Sequence, residues 1–265
     1  MKHRKRHIKN KVHSLKKKKL ILKRPIFWII ILFLIITFSL VYIFIFFSKF
    51  QVNSIIILGN NNVQSEVIQN IAWDNINKNI SKSIFLAGPK TISEDILKKF
   101  NQIETVKSAK KFPQTIIVEI KERVIFAVFC QTDDKKCFYI DGNGIIFKAL
   151  DQIPENITTI KQLTEYKEVY SGQKVIEKNI MDMISEIKKN LKDNFQVDIN
   201  SVIISTPSRL DIKTSEGWQI YFNLDPEFDL QIAKMNALLK DEISIDVRKT
   251  LQYIDLRFKD RAYYK

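Results

Sequence analysis

The sequence predicts an α+β protein carried on one N-terminal transmembrane helix. An uncharged run of 24 residues, Pro25–Ser48, supplies the helix. Residues 54–121 then read as strand, helix, helix, strand, strand, and from 122 onward short alternating apolar runs are separated by two amphipathic stretches. The 265 residues allow one large or two small folded domains.

As a helix, the run PIFWIIILFLIITFSLVYIFIFFS spans roughly 36 Å, against about 30 Å of bilayer hydrocarbon. The Thr37 and Ser39 hydroxyls can bond back to carbonyls one turn earlier. A cleaved signal peptide is the competing reading. The run is too long for one, and FIFFSKF offers no small-x-small cleavage site. The formal net charge of +14 suggests a nucleic-acid binder until the charges are located. Residues 1–24 hold twelve Lys/Arg and no acid, whereas residues 49–265 hold 31 basic and 29 acidic side chains, a net of only +2. The excess therefore sits outside the folded part, and no nucleic-acid partner is expected. A basic tail before a first span sets its side as cytoplasmic, so the rest of the chain is expected outside. The tail itself is expected to be disordered and to touch anionic lipid of the cytoplasmic membrane.

Beyond the span, Ser54–Leu58 is a β-branched run closed by Gly59-Asn60-Asn61-Asn62. Ser65 is placed to cap a helix carrying Val67, Ile68 and Ile71. Thr91 and Glu94 have the spacing of a capping box for a helix presenting Ile92, Ile96, Leu97 and Phe100. Strands are expected at Glu104–Lys111 and Thr115–Lys121, the second alternating Ile116, Val118 and Ile120 against Glu119 and Lys121, with Pro113 between them. The elements lie too close together for a doubly wound parallel sheet, so a three-stranded sheet covered by two helices is expected.

After Glu122, Val124–Cys130, Phe138–Ile140 and Gly144–Lys148 suggest a meander, followed by irregular chain over 149–175. Helical spacing covers Ile176–Leu191, through Ile176, Ile180, Met183, Ile184 and Ile187. Strands follow at Val202–Ser205, Arg209–Thr214 and Trp218–Asn223, then a helix from about Pro226 to Asp241 and a closing strand, Leu251–Phe258. The expected second domain is one antiparallel sheet with helices laid on it.

Catalytic constellations are missing from this pattern. His3, His7 and His13 all precede the span, so residues 49–265 contain no histidine for a triad, a Cys-His pair or the usual zinc sites. Asp141-Gly142-Asn143-Gly144 resembles half a calcium loop but lacks the later ligands, and its residues suit a tight hairpin turn. With only six glycines and no phosphate-binding loop, no cofactor is expected. Cys130 and Cys137 flank QTDDKK between two strands, and either a disulfide or two buried thiols fits that spacing. The sequence predicts no enzyme. An envelope enzyme with an unfamiliar active site is the reading this sets aside.

The strand-helix-helix-strand-strand order resembles a POTRA domain, and the chain as a whole resembles the FtsQ/DivIB family of bacterial cell-division proteins. KKFPQTIIVEIKERVIFAVF carries the aromatic-Pro pair Phe112-Pro113, the alternating strand and Glu122-Arg123 in the family's order. Ile140, Asp141, Gly144 and Phe147 fit its Asp-x-x-Gly hairpin, and Tyr253, Asp255, Leu256 and Arg257 fit its last strand. One departure is Val106–Pro113, about two residues shorter than the family's usual strand there, which leaves its register open. The resemblance implies a tail at 1–24, a span at 25–48, a POTRA domain at 50–121 and an FtsQ/DivIB-like β domain at 122–265. It further implies a non-enzymatic scaffold at the division septum that recruits other division proteins through exposed sheet edges. Small coiled-coil membrane proteins of the FtsB/DivIC and FtsL type are the implied partners. Carried over by position, the partner surface falls on Phe258, Asp260, Arg261 and Ala262, with Lys110 and Lys111 on the POTRA strand as a second candidate. A POTRA-bearing export or assembly component is the alternative, though no further POTRA unit or barrel is visible.

Overall fold

A computed structural model of the chain describes residues 24–131, 136–163, 168–224 and 227–265. The expected tail, apart from Arg24, lies outside the described residues, as does Pro226. Helix α1 (Pro25–Phe46) starts with proline in its first turn and buries none of its residues. A helix apolar on every face and covered by no protein has only lipid to face. Thr37 donates to the Phe33 carbonyl at 2.8 Å, so this hydroxyl is satisfied within the helix. The chain is a single-pass membrane protein by this one span among its described residues.

The first folded unit contains β1 (Ser54–Leu58), α2 (Ser65–Asn77), α3 (Pro89–Lys99), β2 (Ile103–Lys111) and β3 (Thr115–Glu122). Its sheet has the order β1-β3-β2, with β1 parallel and β2 antiparallel to the central strand. Ile68, Ala72 and Ile76 recur every four residues along α2, Ile92 and Ile96 along α3, and all five are buried against Ile116, Val118 and Ile120. Gly59 at the end of β1 has φ +82°, and a Cβ there would lie 2.2 Å from the Ile120 carbonyl oxygen, so only glycine fits.

Both expected caps are corrected. Gln64 is the N-cap of α2 and Ser65 its first helical residue, where the Ser65 Oγ accepts from the Asn60 side chain. Helix α3 begins three residues earlier than a Thr91 box requires, with Gly88 as N-cap and Pro89 in the first turn. Proline presets the helical φ and has no N–H of its own to satisfy, which suits it to the first turn. The β2–β3 ladder runs in register from Thr105↔Lys121 to Lys111↔Thr115, with one irregularity between Ile103 and Thr105.

The second unit is built on a nine-stranded sheet among the described residues. Its strands are β4 (Ala127–Cys130), β5 (Cys137–Ile140), β6 (Ile146–Leu150), β7 (Thr159–Gln162), β8 (Ile199–Thr206), β9 (Arg209–Thr214), β10 (Gln219–Asn223), β11 (Tyr253–Asp255) and β12 (Tyr263–Tyr264). They lie in the order β12-β11-β10-β9-β8-β7-β4-β5-β6. Most neighbours are antiparallel, but β4–β7, β7–β8 and β10–β11 are parallel, so the sheet is mixed. Strand β7 corrects the expectation of irregular chain over 149–175: it is the joint between the β4–β6 meander and the strands that follow. Helix α4 (Lys178–Phe195) buries Met181, Ile184, Ile187 and Leu191, while Ile176, expected within it, lies before its start. Helix α5 (Phe228–Ala237) continues into a wider turn, Leu238–Glu242, and α6 (Ile245–Arg248) precedes β11. Trp218, Phe129 and Phe222 are the largest side chains buried within this unit.

A buried ion pair joins the two units. Arg123, just past β3, donates to Asp141 at 2.5 Å, and its Nε donates to the Asn101 carbonyl. The second oxygen of Asp141 accepts the Asn143 and Ile145 amides, closing the tight turn before β6. Its carboxylate is thereby used in the hairpin and the ion pair.

Candidate functional site

The candidate partner surface lies at the far end of the large sheet, and there the chain departs from one closing strand over Leu251–Phe258. Strand β11 stops at Asp255, the chain loops outward, and β12 returns antiparallel to cover it, with Ile254↔Tyr264 and Asp255↔Tyr263 in register. Phe258, Asp260, Arg261 and Ala262 therefore occupy the β11–β12 loop and not a strand. Phe258 is exposed and meets the Tyr263 ring edge-on at 5.2 Å. The Arg261 guanidinium reaches the Tyr263 hydroxyl at 3.4 Å, and Ala262 packs on the main core. Lys110 and Lys111 sit in the other sheet, at the end of β2. The structure thus brings four of the six expected residues together and leaves the two lysines apart.

Several side chains invisible to sequence reasoning shape this loop. The Lys234 ammonium, on α5, donates to the carbonyls of Leu256, Phe258 and Lys259 at 3.3, 2.5 and 3.3 Å. Lys259 pairs with Glu227 at 3.0 Å, which raises the ammonium's pKa. Arg257 folds back on Asp255 through two side-chain hydrogen bonds of 2.9 and 2.6 Å. Burial alone works to raise the Asp255 pKa, but these bonds from Arg257 hold it below the usual carboxylate range. The ring of Tyr221 lies 5.4 Å from the Arg257 guanidinium and 5.1 Å from that of Arg209. Between α5 and the loop lies a cavity of about 330 Å³, lined by Leu230, Lys234, Leu256 and Phe258 among others.

The backbone of β12 is the chemically open part. Tyr253 and Lys265 exchange both amide-carbonyl bonds, at 3.3 and 3.1 Å. Hydrogen-bonded and non-hydrogen-bonded pairs alternate along an antiparallel ladder, so Tyr263 turns its amide toward β11 and Tyr264 turns its N–H and C=O outward. Among the described residues no strand pairs with that outer side. Two adjacent tyrosines near the end of the chain, in RAYYK, were the available sequence signal for this strand.

Residues 50–123 match the family model described as POTRA domain, FtsQ-type, and residues 128–257 match that of the cell division protein FtsQ/DivIB, C-terminal. The chain belongs to the FtsQ/DivIB family. It is 26% identical over 256 residues to the cell division protein DivIB of Clostridium botulinum strain Loch Maree / Type A3, across 95% of this chain and 94% of that one. To the protein of the same name from strain Hall it is 28% identical over 213 residues, 79% of this chain and 76% of the relative. As an FtsQ/DivIB-family member it is a cell-division protein with a POTRA domain followed by a β-rich domain. The C-terminal match ends at residue 257, so the β11–β12 loop and β12 are read from their geometry.

Proposed function

We propose that this FtsQ/DivIB-family chain is a non-enzymatic scaffold of the division machinery, docking other division proteins on the outer edge of β12. The occupant is an extended segment of a small coiled-coil membrane protein of the FtsB/DivIC or FtsL type. The outward N–H and C=O of Tyr264, on a strand with no neighbour on that side among the described residues, support this reading most directly. An unpaired edge invites a further strand, which supplies main-chain hydrogen bonds, while side-chain pockets select it. Phe258, Asp260, Arg261 and Ala262 lie beside that edge and supply the selective contacts. The twelve basic residues before Pro25 favour a cytoplasmic N-terminus with this edge outside the membrane, and a role at the septum rests on family membership. The absence of histidine from residues 49–265 fits a binding role over the common hydrolytic chemistries.

Removing residues 257–265 takes away the loop and β12 and is expected to abolish capture of the coiled-coil partner by the full-length protein. Retained septal localisation with lost partner recruitment is the expected cellular result. Unchanged capture by the truncated chain sinks the proposal.

A further inference from the structure

We propose that the POTRA domain is seated on the bilayer surface where α1 emerges, through an aromatic face of Phe47, Phe50, Phe85 and Phe112 rimmed by Lys49 and Lys111, on a membrane containing anionic phospholipid. The 22 residues of α1 measure about 33 Å, close to the roughly 30 Å of hydrocarbon. Phe44 and Ile45, in its last turn, therefore lie at the hydrocarbon boundary. The Phe44 ring touches Phe50 at 5.5 Å and Phe85 at 5.3 Å, and Phe85 touches Phe112 at 5.5 Å. A continuous row of rings thus leads from the span to the tip of the β2–β3 hairpin. Phe47, Phe85 and Phe112 are 49, 43 and 58% exposed, an apolar face too open for a surface that meets only water.

A second observation comes from the helix end. The last carbonyls of a helix lack partners within it, and lipid offers none. Here the folded domain provides them. Ser83 donates its hydroxyl to the Phe44 carbonyl at 2.8 Å, and the side chains of Ser81 and Gln51 both donate to the Ile45 carbonyl at 2.7 Å. Gln114, beyond Pro113, donates to the Ser48 carbonyl at 3.2 Å. These bonds hold the Ser81–Phe85 segment and the β2–β3 hairpin against the emerging helix, at the depth of the headgroups.

Charge completes the match. Segments 44–53, 79–87 and 108–116 contain Lys49, Lys82, Lys110 and Lys111 and no acidic residue. Lys49 and Lys111 are exposed, whereas Lys110 spends one donor on the Phe85 carbonyl and Lys82 lies over the Trp73 ring. Aromatic rings at the interface flanked by ammonium groups suit anionic lipid. Lys110 and Lys111 are accordingly read here against lipid and not against a protein partner.

The test uses the full-length protein in vesicles of phosphatidylglycerol and phosphatidylethanolamine. Cys130 and Cys137 are joined in a disulfide, so a spin label attaches only to an introduced cysteine. Labels at Phe112→Cys and Ile80→Cys are expected to be more accessible to oxygen than to a water-soluble nickel chelate, with the opposite order at Ile245→Cys in the distal unit. In a background carrying Phe85→Ser and Phe112→Ser, the label at position 80 is expected to shift toward the chelate, with thermal unfolding otherwise preserved. Labels at 80 and 112 as chelate-accessible as the one at 245 overturn the seating. Dipolar broadening that vanishes on dilution with unlabelled protein identifies a second copy as the occupant and also overturns it. Equal depth in pure phosphatidylcholine removes the requirement for anionic lipid.

Discussion

Two boundaries of the described chain treat backbone polarity in opposite ways. At the membrane exit, carbonyls left over by α1 are taken up by Ser81, Ser83 and Gln51. At the other end, β12 turns the Tyr264 amide and carbonyl away from its own sheet, and nothing in the described chain meets them. Desolvating an unpaired backbone group is costly, so the first arrangement makes a permanent joint between span and domain. The second leaves its backbone groups open to water, or to the incoming strand proposed above.

Between them, Arg123–Asp141 joins the POTRA and β domains, beside hydrogen bonds from Asn101 to the Ser171 carbonyl and from Asn143 to Glu104. The Arg123 and Asp141 side chains are only 13 and 5% exposed. Arg123→Met leaves Asp141 buried and unpaired, and breaking a pair in that way costs about 3–5 kcal/mol. Chemical denaturation of the full-length protein is expected to show that loss, with partner capture at β12 retained under native conditions. A loss below 1 kcal/mol means the units are joined mainly by other contacts. Ser83→Ala tests the membrane joint with a smaller effect, about 1–3 kcal/mol, because it strands the Phe44 carbonyl but deletes no charge. A lower thermal midpoint in nanodiscs with unchanged partner affinity is expected; the reverse outcome would erase the distinction between the two ends.

How much of this was legible depends on where each element's information lies. The span and the alternation of Ile116, Val118 and Ile120 are local patterns, and both fold as written. Strand β7 has only Ile160 as an aliphatic residue within Thr159–Gln162, and its parallel neighbours β4 and β8 are far away in sequence. No local period announces such a strand. The expected caps at Ser65 and Thr91 failed for another reason: the Ser65 hydroxyl accepts from the Asn60 side chain one position inside its helix, and Gly88-Pro89 starts the other helix before Thr91. At the candidate site, Phe258, Asp260, Arg261 and Ala262 were reached through family resemblance, yet their loop conformation follows from β12 folding back on β11. The three carbonyls gathered by Lys234 are equally a product of that return.

The outward-facing amide can be isolated by proline. Tyr264→Pro removes one donor to an incoming strand but none to β11, so partner affinity is expected to fall about tenfold with little change in stability. Tyr263→Pro removes an inward donor and is expected to lower stability instead. Isothermal titration and thermal unfolding of both variants read the two effects separately. Equal affinity losses from the two would show that the edge is disrupted generally and that its register does not matter.

The smallest expected effect is on the pH response of the loop. Arg257 holds the Asp255 pKa below the ordinary value for a free aspartate, about 3.9. A carboxylate with a depressed folded-state pKa stabilises the fold fully above its unfolded pKa. That contribution declines as the pH falls below about 3.9 and through the lower folded-state value. Partner affinity is therefore expected to be insensitive to this carboxylate between about pH 5 and 8, since it stays ionised throughout. Asp255→Asn removes the charge and should make unfolding less sensitive to acid, so stability curves of the two proteins converge as the pH drops toward 2. Both the Asp255 carboxylate and its Arg257 partner lie on the loop side of β11, whereas the membrane joint is made by hydroxyls, an amide side chain and carbonyls that do not titrate in this range. Acid should consequently loosen the β12 end before it affects the seating of the POTRA domain. Hydrogen exchange at pH 3 showing earlier opening at Gln51–Ser54 than at Tyr253–Lys265 would contradict that order.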